Sequence, residues 1–321
     1  MSRSTKRVAI IVALALLAGL SLVTNGSPAA SQAEAAPAPP ALEAITLPEG
    51  YAPPAARPGA VSRAYAGTGA EAASGSTNDG VEGQPLGAES VIGPDGRTRV
   101  TPTTGYPARA IGQIEGFDNE AGGFTCTGWL IDANTILTSG HCLYPPGTSL
   151  DNIAESIEFF PGRNRTIDPW GSCFGLNGWS PTAWIQNETP NADYAIIQLD
   201  CDIGDTVGWF GFFSLPGAGD LLHRRARVQG YPGDRPAGTH SGMSDRIERS
   251  QAKMVFYDID TAAGQSGSPV WWTRASCGGP CGMAVHSYGV GVGGLNFNSA
   301  ARITTARFAE IADIADNNNT P

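Results

Sequence analysis

Charge is scarce in this 321-residue chain. Only 16% of its residues are charged, against about 25% in an average soluble domain. The basic side is the poorer: 20 Lys and Arg face 30 Asp and Glu, a formal charge of −10, and the isoelectric point is near 4.8. Nucleic-acid-binding domains show a basic face and a high isoelectric point, so nucleic acid is excluded as a partner. There is no internal repeat, heptad pattern or phosphate loop. No segment reaches the ~20 apolar residues of a spanning helix; the longest such run, Val8 to Val23, has 16. With 42 Gly and 24 Pro, breakers of regular structure make up about a fifth of the chain rather than the usual ~12%. A helical bundle or coiled coil is therefore not expected.

The apolar run follows Arg3, Lys6 and Arg7 and precedes small residues, with Ala33-Glu34-Ala35 one possible cleavage pattern. This is the layout of a secretory signal peptide, assigned to residues 1–35, with an uncleaved anchor the competing interpretation. Six cysteines, an even number, suit disulfides in the oxidising compartment that export implies. Residues 36–89 are mainly Ala, Pro, Gly and Ser, with Pro-Pro at 39–40 and 53–54. They have too few large apolar side chains to offset chain entropy. They are expected to be a pro-segment, mostly disordered. Aromatic and β-branched residues recur from about residue 90, so residues 90–321 should hold the folded domain.

Past residue 105 the pattern is short β runs between Gly, Pro, Asn and Asp. The runs are Ala108–Ile114, Phe124–Ile131, Thr135–Thr138, Ile157–Phe160, Tyr194–Leu199, Arg225–Gly230, Lys253–Ile259, Pro269–Trp272, Met283–Ser287 and Ala301–Thr304. Many short strands predict an all-β sandwich or barrel. One helix is expected at the C-terminus. Thr305 is placed to cap it, and Phe308, Ile311, Ala312 and Ala315 form a docking stripe at helical spacing. Trp271-Trp272 could suggest carbohydrate binding, but in a predicted strand such residues are more often core and cleft wall.

Three segments carry chemistry. Thr138-Ser139-Gly140-His141-Cys142 puts a histidine at a strand end, although a lone histidine is more often structural. Asp193 stands directly before the apolar run Tyr194–Leu199; it is either a strand-entry turn residue or a buried carboxylate, which needs a partner. Gly264-Gln265-Ser266-Gly267-Ser268-Pro269 sets a serine between glycines. It is either an ordinary Gly-Ser turn or one whose Gly264 and Ser266 N–H groups form an oxyanion hole. Together the three are far more specific. Serine needs a base to take its proton; His141 fits if Asp193 fixes its tautomer. The chain order His, Asp, Ser is that of chymotrypsin and differs from subtilisin and the α/β-hydrolases.

These motifs resemble the chymotrypsin-fold serine peptidases, and more closely the bacterial glutamyl endopeptidases. The resemblance runs from about Ser90 to the C-terminus. It includes Ser90-Val91-Ile92-Gly93-Pro94-Asp95-Gly96-Arg97-Thr98-Arg99-Val100, Pro161-Gly162-Arg163-Asn164, Gly230-Tyr231-Pro232-Gly233-Asp234 and Ala284-Val285-His286-Ser287. It implies two six-stranded antiparallel β-barrels, triad roles for His141, Asp193 and Ser266, and no cofactor. It also implies that His286 and Thr261 read a P1 carboxylate, an imidazolium and a hydroxyl suiting Glu, with Asp cleaved more slowly. Asp260, six residues before Ser266, allows the opposite: a trypsin-like acid binding Lys or Arg. Its other possible role is a turn residue that binds backbone.

Cleavage after Glu89 would free Ser90, a cut that a Glu-specific enzyme could make on itself. In some family members the first Val's amino group helps shape S1; Val91 matches that Val, but Ser90 precedes it. The acid that pairs with a new N-terminus in chymotrypsin-type zymogens is replaced by Gln265, so that ion-pair switch is absent. Cys126 and Cys142 flank the hairpin that leads to His141, and the resemblance agrees with their bridging. It also implies a Cys277–Cys281 bridge, which leaves Cys173 with Cys201. No histidine cluster supports a metal site. The expected product is a secreted, extracellular monomer acting on protein or peptide substrates, free of the membrane once its signal is removed. A non-catalytic binding module on the same scaffold is the remaining rival, and every triad member is present against it.

Overall fold

A computed structural model of the chain describes residues 42–46, 90–120, 122–146 and 153–317. The expected signal peptide, and the expected pro-segment apart from residues 42–46, lie outside the described residues. Among those described, no helix is long and apolar enough to cross a membrane.

The strands are β1 (Leu42–Thr46), β2 (Thr98–Arg99), β3 (Ile111–Asp118), β4 (Gly122–Leu130), β5 (Thr135–Thr138), β6 (Ser156–Pro161), β7 (Cys173–Pro181) and β8 (Ala195–Leu199), then β9 (Gly211–Phe212), β10 (Arg225–Gly230), β11 (Ser241–Ser250), β12 (Met254–Tyr257), β13 (Pro269–Arg274), β14 (Gly279–Tyr288) and β15 (Asn298–Arg302). They form two closed six-stranded antiparallel barrels. The first runs β7-β6-β3-β4-β5-β8 and closes through β7–β8; the second runs β10-β13-β14-β15-β12-β11 and closes through β10–β11. Closure removes the open edges that an exposed sheet would present. The all-β, two-barrel architecture with a C-terminal helix is therefore as expected.

The local differences have physical causes. Residues 108–110 form a 3₁₀ turn, and the strand starts at Ile111. β7 escapes an apolar-pattern search because Gly175, Asn177 and Gly178 resemble loop residues; Leu143 packs so closely over Gly178 that an added Cβ would lie 2.7 Å from it. β11 is largely polar, yet it is held by β10, β12 and β2. The C-terminal helix α1 (Thr305–Asn317) is capped by Thr304 rather than Thr305: the Thr304 hydroxyl accepts the Arg307 N–H at 3.3 Å. Its Ile311 and Ala315 are buried, as the docking stripe predicts. Trp271 is buried and Trp272 packs on Phe213, so both serve the scaffold.

Residues 42–46 are an exception to the expected disorder. They pair antiparallel with β7 from Leu42↔Pro181 to Thr46↔Asn177. β6 pairs only with Cys173 and Phe174 of β7, which leaves the far part of that edge open to another strand.

Each barrel has its own apolar core, and a third cluster joins them. Its centre is Phe210, on the connection between the barrels. The ring meets Trp129 of the first barrel edge-on at 5.5 Å and Trp271 of the second at 5.4 Å. Gly282 makes room: a Cβ there would lie 2.3 Å from the Trp129 ring. Phe210→Ala is expected to destabilise the protein by about 3–5 kcal/mol, seen as a lower urea midpoint.

Candidate active site

His141 lies in a 3₁₀ turn directly after β5. Its neighbour Cys142 is bonded to Cys126 of β4, which ties the turn to the barrel wall. Asp193 stands between a short 3₁₀ turn and β8, which pairs with β5; the same barrel therefore carries both groups to one end. The Asp193 side chain is fully buried. Its Oδ2 lies 2.7 Å from His141 Nδ1, and its Oδ1 accepts the His141 main-chain N–H at 2.9 Å. A buried carboxylate is tolerable only with such partners. The bidentate contact fixes both the position of the histidine and the tautomer in which Nδ1 carries the proton. About a fifth of the His141 side chain remains exposed, enough to meet a substrate.

The Ser266 turn belongs to the second barrel. Gly267 has φ +89°, and a Cβ there would lie 2.0 Å from the Thr127 carbonyl oxygen, so glycine is required. The turn is pinned from several sides: Thr127 N–H donates to Ser266 O at 2.8 Å, and Gly267 N–H donates to His286 O at 2.7 Å. Gly264, at φ +98°, also admits no side chain, because Tyr231 O would stand 2.6 Å from its Cβ. The Ala263 carbonyl accepts Gly233 N–H at 2.6 Å. In a planar trans peptide this aims the Gly264 N–H the opposite way.

His286, on β14, is fully buried, and its Nδ1 lies 2.7 Å from the Tyr257 hydroxyl. Burial, helped by the nearby His141, pushes its pKa down to about 3, although the Ser299 main chain favours the charged form. Without substrate, burial therefore favours the neutral imidazole. Thr261 is fully buried, and its hydroxyl has no hydrogen-bond partner among the described residues. Asp260 faces elsewhere. Its two oxygens accept Ile92 N–H and Gly96 N–H, each at 2.7 Å. Ser90 docks beside this turn, its carbonyl accepting Thr261 N–H at 3.2 Å and its N–H donating to Asn298 Oδ1 at 3.1 Å.

Residues 126–276 match the family model described as trypsin-like peptidase domain. The chain is 40% identical to a glutamyl endopeptidase of Bacillus licheniformis over 260 residues, 79% of each protein. The chain belongs to the glutamyl endopeptidase family. A solved Glu endopeptidase structure, in complex with MPD, superposes with a TM-score of 0.61 at 29% identity, covering 71% of this chain and 99% of that one. Like them, this family member is a serine endopeptidase of the chymotrypsin fold.

An extracellular metalloprotease of Bacillus subtilis is also similar, at 33% identity over 78% of this chain and 79% of that protein. The metal in that name does not fit the groups here. Among the described residues, the clusters with ligand-like spacing are Cys126, His141 and Cys142, and Cys173, Asp200 and Cys201. All four sulfurs are in disulfides, Cys126–Cys142 and Cys173–Cys201, and so present no thiolate. The third bridge is Cys277–Cys281.

Several residues at the site carry no sequence signal of their own. Burial, with the charge of the nearby Asp193 carboxylate, pushes the pKa of the Tyr288 hydroxyl up. Trp184 and Tyr288 stand near the His141 ring, at 6.1 and 6.2 Å between centroids. Ser287 Oγ donates to the Asp193 carbonyl at 2.9 Å. Only Ser287, adjacent to His286, lies in a motif visible from the sequence.

The placement of Asp260 predicts that Asp260→Asn leaves the P1 preference unchanged and speeds amide hydrogen exchange at Ile92 and Gly96. A change in P1 preference would return Asp260 to the pocket.

Proposed function

We propose that the protein is an extracellular endopeptidase that hydrolyses peptide bonds after glutamate, and after aspartate more slowly, acting as a monomer on protein substrates. Asp193 carries this proposal, because its buried carboxylate holds His141 by both Nδ1 and the main chain. His141 takes the hydroxyl proton of Ser266 as Oγ attacks the scissile carbonyl, then gives it to the leaving amine. Asp193 stabilises the imidazolium formed in that step. The N–H groups of Gly264 and Ser266 hold the oxyanion. Water then hydrolyses the acyl-enzyme, with His141 again as base.

For the P1 side chain, His286 and Thr261 supply the donors. The Tyr257 hydroxyl, 2.7 Å from Nδ1, leaves Nε2 to carry the proton when it donates; that Nε2–H would meet the carboxylate alongside the Thr261 hydroxyl, which has no hydrogen-bond partner among the described residues. The name of the Bacillus licheniformis relative supports glutamate as the residue read. The Bacillus subtilis relative's name supports an extracellular location. Residues 1–35 are the signal and 36–89 the pro-segment, with the mature enzyme starting at Ser90. The seat of Ser90 against Thr261 supports that start, because a new α-amino group would lie close to the P1 donors.

P1 profiling tests the proposal. Matured protein is added to a denatured proteome and new termini are read by mass spectrometry, with Ser266→Ala as control. Cuts after Glu, absent in the control, are expected; cuts after Lys or Arg, or none, would overturn it. Asp193→Asn should lower kcat by about 10⁴, measured on a Glu-containing peptide. Because His286 is already neutral above about pH 3, raising the pH removes no charge from it. The Glu/Gln selectivity ratio should then stay flat from about pH 5.5 to about pH 7, where an imidazolium selector would lose its charge.

A further inference from the structure

Beside the oxyanion turn lies a charge cluster, centred on the buried Arg97, that the chemistry above leaves unused. Arg97 is 1% exposed. Its guanidinium donates to Asp95 through Nε (3.0 Å) and Nη2 (2.9 Å), and to Asp234 through Nη1 (3.0 Å) and Nη2 (2.5 Å). Nη1 also reaches Gln265 Oε1 at 3.4 Å. Arg235 closes the cluster, donating to Asp95 Oδ2 at 3.0 Å and to the Arg97 carbonyl at 3.2 Å. A buried cation costs several kcal/mol unless its donors are matched, and the planar fork of arginine matches two carboxylates and an amide in a way lysine does not.

Two of these partners lead directly to the oxyanion turn. Gln265 precedes the proposed nucleophile; its Oε1 also accepts Ala262 N–H at 3.1 Å, and its own N–H donates to the Ala262 carbonyl at 2.9 Å. Asp234 follows Gly233, whose N–H holds the Ala263 carbonyl and so sets the direction of Gly264 N–H. Arg97 thus reaches the turn from both sides, directly through the Gln265 amide and indirectly through the Asp234 carboxylate, whose residue follows Gly233. It belongs to the segment starting at Ser90 that Asp260 also anchors. We propose that Arg97 is a positioning residue for the oxyanion turn, so that seating of residues 90–97 and orientation of Gly264 N–H are one event. The amide of Gln265 stands where a zymogen-type acid would receive an N-terminus, and it receives a guanidinium instead. This inference rests on the assignment of Gly264 N–H as an oxyanion donor.

The test uses matured enzyme and a peptide with the P1 residue found by profiling. Gln265→Met removes the amide and leaves both Arg97 ion pairs; Arg97→Met removes all. Folded fraction is fixed by near-UV circular dichroism. Affinity is measured for a peptide boronate, which needs the oxyanion hole, and for the product peptide, which does not. Loss of one oxyanion donor costs about 10²–10³ in kcat, and a turn merely loosened should lose ~10-fold or more. The expected result is such a fall in kcat for Gln265→Met with KM within about twofold, boronate affinity falling in step and product affinity unchanged. Arg97→Lys should recover only part of the loss, and the double Met variant should be no worse than Arg97→Met. Unchanged kcat and boronate affinity in folded Gln265→Met, with lowered thermal stability alone, would overturn the proposal. If the unsubstituted enzyme binds boronate no better than product, the oxyanion assignment itself falls.

Discussion

One carbonyl group, that of His286, joins the three parts of the site. It accepts Gly267 N–H from the Ser266 turn at 2.7 Å and the hydroxyl of Ser139, two residues before His141, at 2.8 Å. Its own residue returns a bond, His286 N–H to Ser268 O at 2.9 Å. The His141 turn of the first barrel, the Ser266 turn of the second and strand β14 are thus held to a common main-chain point. Main-chain bonds in a buried setting are costly to leave unmade, so relative movement of these elements is opposed without any further lock. The aromatic contact of Phe210 with Trp129 and Trp271 keeps the barrels apposed, and the hydrogen bonds set the register within that contact.

Electrostatics then divides the buried groups by role. Asp193 is held by the ring and the main-chain N–H of His141. His286 has burial against its charge, which pushes its pKa down to about 3. Asp260 is occupied by the main chain of the segment after Ser90, and Arg97 by two carboxylates of the same region. Residues 90–97 therefore pack against the turns that hold Asp260, Thr261 and Gln265.

How far the site was legible from the residues depends on the kind of signal each one leaves. His141, Asp193 and Ser266 stand in short motifs with a distinctive chain order, and the fold brings the first two into contact. Tyr257 and Tyr288 are ordinary aromatic strand residues, and nothing local says that one meets His286 and the other Asp193. β11 and β7 went unseen because their pairing comes from neighbours on both sides and not from an apolar pattern. Register, not propensity, decided them.

By itself the sequence determined the class of the fold, the motifs that hold His141, Asp193 and Ser266 in a given chain order, and the glycine positions of the Ser266 turn. Those follow from local chemistry: strand periodicity, φ-permissive residues and motif spacing. Only the tertiary structure decided the direction of Asp260, the charge state of His286 and the partner of Gln265. Each is settled by residues distant in the chain. Asp260 is claimed by N–H groups of Ile92 and Gly96, and His286 is discharged by burial inside the second barrel. Orientation and dielectric environment are properties of the packed interior, so no local pattern encodes them.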